Sequence, residues 1–333
     1  MKCKRLWAMA LLCPFLFETA QAPSPSLWMA DCAAVSLAPW EAASRPAPLD
    51  EAFLPGECVP QGNGTLAAEP LAAQGTTAPA PETLAAQSTL VMDADTGEVL
   101  YDKAGDVQRA PASTTKIMTL WLAVEHGGFS QMVTVPDSAG TAPSDSTRVP
   151  VYPGEQMPFE DLLYGLMIKS GNDAANAIGT LVSGSVAQFV EEMNQRAQQL
   201  GLQNTHFVNT HGYPAQGHYT SARDLATITR AALQNSVFRK ILTTRSHTMA
   251  ATALRGELTL RNSYSILDPD SQYYYPYALG GKTGYASSAG QCFVCVAEKN
   301  GRTLISVVLN AGGTKTPKWT DTRTLLDYAF SLS

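Results

Sequence analysis

Charge, histidine and cysteine are all scarce in this sequence: 16% of its 333 residues are charged, five are histidine and six are cysteine. It contains no His-Glu-x-x-His pair to hold a catalytic zinc and no Gly-x-Ser-x-Gly turn to present a serine to a histidine base. His211 and Asp224 remain as loose triad candidates, and His211, within Asn209–Tyr213, reads as structural. Basic residues are outnumbered 23 to 29, a net charge of −6, which argues against nucleic acid as a partner. Past Phe17 no apolar run is long enough to span a bilayer, and no basic amphipathic helix closes the chain. Cys292 and Cys295 lie in a strand-like run, where residues three apart point to opposite faces. Without a second pair or a histidine at ligand spacing, they predict two small buried side chains and no metal.

What is present begins with an export signal. Lys2, Lys4 and Arg5 precede an apolar stretch from Leu6 to Phe17, and Ala20-Gln21-Ala22 follows. Charged, apolar and small, in that order, is the layout of a secretory signal peptide. Cleavage after Ala22 is expected, an uncleaved membrane anchor being the other reading of residues 1–22. Cleavage removes three basic groups and Glu18, leaving the remainder more acidic still. In an oxidising compartment Cys32 could join Cys58. Residues 23–87 are rich in Ala, Pro, Gly, Ser and Thr with no sustained period, the composition of a poorly ordered leader. Residues 88–333 remain to build the folded domain.

Within that domain, two strand-like runs flank Asp95-Thr96-Gly97, a hairpin signal. A helix is predicted from about Ser113 to His126, stopping at Gly127-Gly128, and its core, Ile117–Val124, is apolar nearly all round and therefore buried. Further helical stretches run through Phe159–Ser170, Asn172–Val182 and Ser185–Leu202, with Ser185 and Gln188 as a capping box and Gly201 as a stop. Another starts near Thr220. Two late strands meet at Lys299-Asn300-Gly301, and an amphipathic helix closes the chain. Strands early and late with helices between them predict an α/β domain whose single sheet is assembled from both ends.

Three short motifs carry chemistry. Ser113 stands three residues before Lys116 at the head of the buried helix, so both share one face. A serine hydroxyl is a poor nucleophile until a base takes its proton, and a lysine can serve once burial or nearby positive charge lowers its pKa. The second motif, Ser170-Gly171-Asn172, places a hydroxyl and a carboxamide where one helix ends and the next begins. One can relay a proton while the other orients an amine or a carbonyl. The third, Lys282-Thr283-Gly284, leads along a strand to Tyr285. A strand edge can pair with an extended peptide, Gly284 lets it approach closely, and Lys282 with Thr283 offers charge and a donor to a carboxylate. Read singly, each is a cap or a turn. Together and in this order they are the set of penicillin-binding proteins and serine β-lactamases.

With these motifs, and with "APASTTKIMT", "IKSGNDAANA", "NTHFVNTHGY", "TSARDLA", "GGKTGY" and "LLDYAF", the chain from Ser88 to Phe330 resembles the low-molecular-weight penicillin-binding proteins that act as D-alanyl-D-alanine carboxypeptidases. The resemblance implies a central antiparallel sheet flanked by helices, with an inserted helical subdomain. It implies Ser113 as the acylated nucleophile, Lys116 as its base, Ser170 as proton relay and Asn172 as orienting group. Lys282 and Thr283 would hold the substrate's terminal carboxylate, and the N–H groups of Ser113 and Tyr285 would form the oxyanion hole. No cofactor is implied. The partners implied are stem peptides ending in D-Ala-D-Ala, with β-lactams as covalent inhibitors.

Two departures stand out. Relatives usually have a hydroxyl residue where this chain has Ala286, and many anchor the carboxylate with an arginine where Lys318, or alternatively Lys315, is the best match, so the arginine fork is lost. They motivate a rival reading, a weakly active module that binds muropeptide or penicillin. A β-lactamase is the other rival, disfavoured because the class A wording around its catalytic glutamate is missing and Gly171 replaces the expected aspartate. Relatives often continue into a stalk and membrane helix beyond this point, so a released or loosely wall-associated protein is expected.

Overall fold

The computed structural model describes residues 80–312 and 314–332, so the signal, most of the leader, and Cys32 with Cys58 lie outside the described residues. Sixteen elements follow in order. They are β1 (Ser88–Asp93), β2 (Val99–Lys103), α1 (Lys116–His126), β3 (Met132–Thr134), β4 (Gln156–Pro158), α2 (Phe159–Ile168), α3 (Asn172–Ser183) and α4 (Val186–Gln199), then α5 (Ala222–Ala232), α6 (Ser236–Thr243), β5 (Ser246–Met249), β6 (Leu258–Arg261), β7 (Ala278–Ala286), β8 (Gly290–Lys299), β9 (Arg302–Leu309) and α7 (Pro317–Ser331).

The main sheet has the order β2-β1-β9-β8-β7, antiparallel throughout, so both ends of the domain meet in its middle and β7 forms one border. Its turns follow from local chemistry. The Asp93 carboxylate accepts the N–H groups of Asp95 and Thr96, and Gly97 takes a left-handed φ of 79°. Asn300 and Gly301, at φ 53° and 78°, close the β8–β9 hairpin.

Alternation along the strands separates two cores. Leu90, Cys292, Val294, Ile305 and Val307 face the helical cluster, whereas Val91, Phe293, Cys295, Leu304 and Val308 face Trp319, Leu325 and Leu326 of α7. The two cysteines are therefore buried on opposite faces, and burial pushes the Cys292 thiol up to about 11. Ile117 to Val124 are buried, as an all-apolar helix requires. Half of the predicted capping box is present: Ser185 Oγ accepts the Gln188 N–H at 3.1 Å, but the Gln188 side chain accepts from the Ser185 hydroxyl, at 2.9 Å, in place of its backbone N–H, and Gly201 ends the helical stretch at φ 70°. Ahead of β1, Ala86 is buried and donates its N–H to Asp321 of α7 at 2.7 Å.

Candidate active site

The nucleophile candidate stands on a tight turn. Residues Ala112–Thr115 form a single 3-10 turn that runs into α1, and Ala112 before Ser113 holds a left-handed φ of 47°. Such strain persists only where surroundings enforce it. Here the Thr115 hydroxyl donates to the Ala112 carbonyl at 2.9 Å, and Gly212 passes so close that a Cβ would lie 1.7 Å from that carbonyl oxygen. The sequence pattern predicted α-helix from Ser113; its first turn is instead this tighter one.

Lys116 is fully buried and its Nζ meets three oxygens: Ser113 Oγ at 3.1 Å, Asn172 Oδ1 at 2.6 Å and the His211 carbonyl at 2.7 Å. Desolvation lowers its pKa well below the ordinary lysine value, the nearby Lys282 ammonium lowers it further, and Asp173 opposes them. A neutral amine has two N–H donors and one lone pair. With Asn172 and His211 accepting the two donors, the lone pair is directed at Ser113.

Ser170 stands at the α2–α3 junction with φ 62°, a left-handed residue that turns the chain between two buried helices, and Asn172 opens α3. Asp173 beside it accepts the N–H of Val149 and, burial outweighing those bonds, is raised to about 6.

On the facing wall, β7 brings Lys282, Thr283, Gly284 and Tyr285. Lys282 is fully buried and its pKa is lowered by desolvation. Gly284 packs where a Cβ would sit 2.9 Å from the Pro111 carbonyl and 3.0 Å from the Ser113 nitrogen, so only glycine lets strand and turn touch without displacement. Tyr285 is exposed. Lys318 lies one strand away, at the start of α7. Its ammonium donates to Gln291, which pairs with Tyr285 in the sheet, and lies over the Trp319 ring; burial lowers its pKa to about 8.

The loose triad candidates do not meet. Asp224 caps residues Asn204 and Thr205 near the start of α5, whereas the His211 ring accepts the Tyr213 N–H and only its backbone carbonyl reaches Lys116. That carbonyl left no signal in the sequence, because any residue type could supply it. Histidine itself leaves one at His218, whose ring reaches Thr115.

A five-stranded antiparallel sheet, α7 on one face, a helical cluster on the other, and a Ser-x-x-Lys turn beside a border strand make a fold of the serine β-lactamase/transpeptidase-like class. Residues 74–313 match the family model described as D-alanyl-D-alanine carboxypeptidase, and the chain belongs to that family. Among similar proteins, a D-alanyl-D-alanine carboxypeptidase of Bacillus subtilis is 35% identical over 74% of this chain and 62% of its own length. One from Streptomyces sp. strain K15 is 33% identical over 80% of this chain and 94% of its own. The crystal structure of the Streptomyces K15 DD-transpeptidase covers 77% of this chain at TM-score 0.70 and 31% identity, with all of that chain matched. The D-alanyl-D-alanine carboxypeptidase of Mycobacterium tuberculosis covers 78% at TM-score 0.69 and 32% identity, with 95% of that chain matched.

Proposed function

We propose that this protein is an exported serine-type D-Ala-D-Ala carboxypeptidase, which removes the terminal D-alanine of peptidoglycan stem peptides through an acyl-enzyme on Ser113 and is acylated by β-lactams. The observation that carries the reading is the set of three contacts at Lys116 Nζ, which leave its lone pair for the Ser113 hydroxyl. Family membership and the likeness to DD-peptidases support the substrate class.

In this reading Lys116 takes the Ser113 proton as Oγ attacks the carbonyl of the penultimate D-alanine, and the oxyanion is held by the N–H groups of Ser113 and Tyr285. Ser170 passes a proton to the departing D-alanine amine. Asn172 keeps the amine of Lys116 aimed, and Lys282 with Thr283 binds the terminal carboxylate. Lys318 acts at one remove, through Gln291. Water then attacks the ester, with Lys116 again as base. Residues 1–22 are the signal, 23–87 the leader and 88–333 the catalytic domain, working outside the cytoplasm at the cell wall. Among the described residues no helix is long and apolar enough to cross a membrane.

The test is D-alanine release from a Lys-D-Ala-D-Ala peptide by protein lacking residues 1–22, beside Ser113→Ala. Release that vanishes in the variant supports the reading. No release from folded protein rejects it, and penicilloylation without release would favour a binding module.

A further inference from the structure

The two acceptors that orient the Lys116 amine are held by two different surface loops. His211, whose carbonyl takes one N–H, sits in the Asn209–Tyr213 turn. Asn172, which takes the other, is fastened by its own N–H to the Thr147 carbonyl, at 2.9 Å, in the segment 142–149. Local bonds shape each loop. Asn209 Oδ1 accepts the N–H groups of His211 and Gly212 at 3.2 and 2.7 Å, and its amide donates to the Tyr213 carbonyl at 2.9 Å. Residues 143–146 form a turn of their own, the Ser146 N–H and hydroxyl both donating to the Pro143 carbonyl at 3.1 and 2.7 Å.

One contact joins the loops directly. The half-buried Tyr213 donates its hydroxyl to the exposed Asp145, 3.0 Å from both carboxylate oxygens across a separation of 68 residues. Among the described hydrogen bonds no other runs between residues 142–149 and 208–218. That bond raises the Tyr213 pKa above its ordinary value, so the phenol stays protonated and donating at neutral pH. Deeper in, Thr210 and Thr141 meet the Asn176 side chain of α3 at 2.8 and 3.2 Å, so the loops are tied through a helix on the inside and to each other at their tips.

We propose, resting on the carboxypeptidase reading, that Tyr213 and Asp145 are positioning residues whose hydrogen bond braces the two loops and so sets the spacing between the two acceptors of Lys116. A lysine amine rides on a flexible stem, and its lone pair points at Ser113 only while both N–H groups have fixed partners. Neither Tyr213 nor Asp145 bonds the side chains of Ser113, Lys116, Ser170 or Lys282 among the described contacts. Their effect on the reaction is therefore indirect, carried by the His211 carbonyl on one side and by Thr147 and Asn172 on the other.

The test measures kcat and KM for D-alanine release from a Lys-D-Ala-D-Ala peptide, with melting temperatures alongside, in Tyr213→Phe, Asp145→Ala, Asp145→Asn and the combined Tyr213→Phe/Asp145→Ala protein. Tyr213→Phe and Asp145→Ala should each lower kcat by about 3- to 10-fold with KM within about twofold, because the brace acts on reacting groups that tolerate little drift. The combined variant should lose no more than either alone, since both changes remove one contact. Asp145→Asn keeps an oxygen that accepts the phenol proton, and its kcat should stand well above that of Asp145→Ala. Melting temperatures should barely move, as for most surface substitutions. Unchanged kcat in both single variants, additive losses in the combined one, or a loss in Asp145→Asn as deep as in Asp145→Ala overturns the brace. A rise in KM confined to Tyr213→Phe also overturns it, by placing the ring on the substrate. Each of these results leaves the carboxypeptidase reading intact, whereas no release from the unsubstituted protein overturns both.

Discussion

His218 donates its Nε2–H to the Thr115 hydroxyl at 2.9 Å, and that hydroxyl bonds the strained Ala112 carbonyl one residue before Ser113. The relay works only with a neutral ring, because Nδ1 must accept from Val208. Burial lowers the His218 pKa to about 4 and that of His211 to about 3. Between those values and the ordinary 6.5 the unfolded chain binds protons that the folded one refuses. Stability is therefore full above about pH 6.5 and falls with acidification toward about pH 4, by on the order of 3 kcal/mol for each histidine. Melting temperatures at about pH 7 and about pH 4.5 should show the drop, and His218→Asn should shrink it. An equal drop in that variant would remove His218 from the account.

Lys116→Arg preserves the positive charge and removes the base, since a guanidinium does not deprotonate in proteins. Acylation by a fluorescent penicillin should slow at least about 100-fold, while the protein stays folded. In the unsubstituted protein the acylation rate should fall as pH drops through the lowered Lys116 pKa, because protonation occupies the lone pair that receives the Ser113 proton. A rate flat across the acid range would reject Lys116 as base.

Gly284→Ala places a methyl group against the Pro111 carbonyl and the Ser113 nitrogen. Strand and turn must part by some tenths of an ångström, and reacting groups tolerate little misplacement. Turnover should fall by about tenfold with a far smaller change in melting temperature. Near-normal turnover would show that the turn moves freely against β7.

Two buried lysines separate by what they touch. Lys282 donates to the adjacent Thr283 carbonyl, sits beside the Tyr264 hydroxyl and lies on the strand that abuts the Ser113 turn, whereas Lys318 lies on α7 and donates to Gln291 of β8. Lys282→Met should lower kcat/KM by about 10- to 100-fold, the worth of a hydrogen bond to a charged group. Lys318→Met should lower it by less than about threefold, because its partner is a neutral protein amide. Equal losses would place Lys318 on the carboxylate as well.

Much of this site was legible before any coordinates. Ser113 and Lys116 at helical spacing, Ser170 and Asn172 at a helix junction, and Lys282 to Gly284 on a strand are local relations, and local periodicity fixes which side chains share a face. The same periodicity put Cys292 and Cys295 on opposite faces of β8. What stayed hidden was long-range or made of backbone. The His211 carbonyl on Lys116, separated by 95 residues, leaves no side-chain signature, and neither does the tightening of the first turn at Ala112.

By itself, then, the sequence determined the elements, the three motifs and the family, because propensity, spacing and residue chemistry are written along the chain. Tertiary structure alone decided that Lys116 meets two acceptors and a nucleophile, that Lys318 donates to Gln291, and that a pocket with no Asp, Glu, Lys or Arg among its described lining opens past Ala286. Those facts depend on how β7, β8, α3, α7, the Ser113 turn and the 208–218 loop pack together. Packing brings together groups that no spacing rule connects.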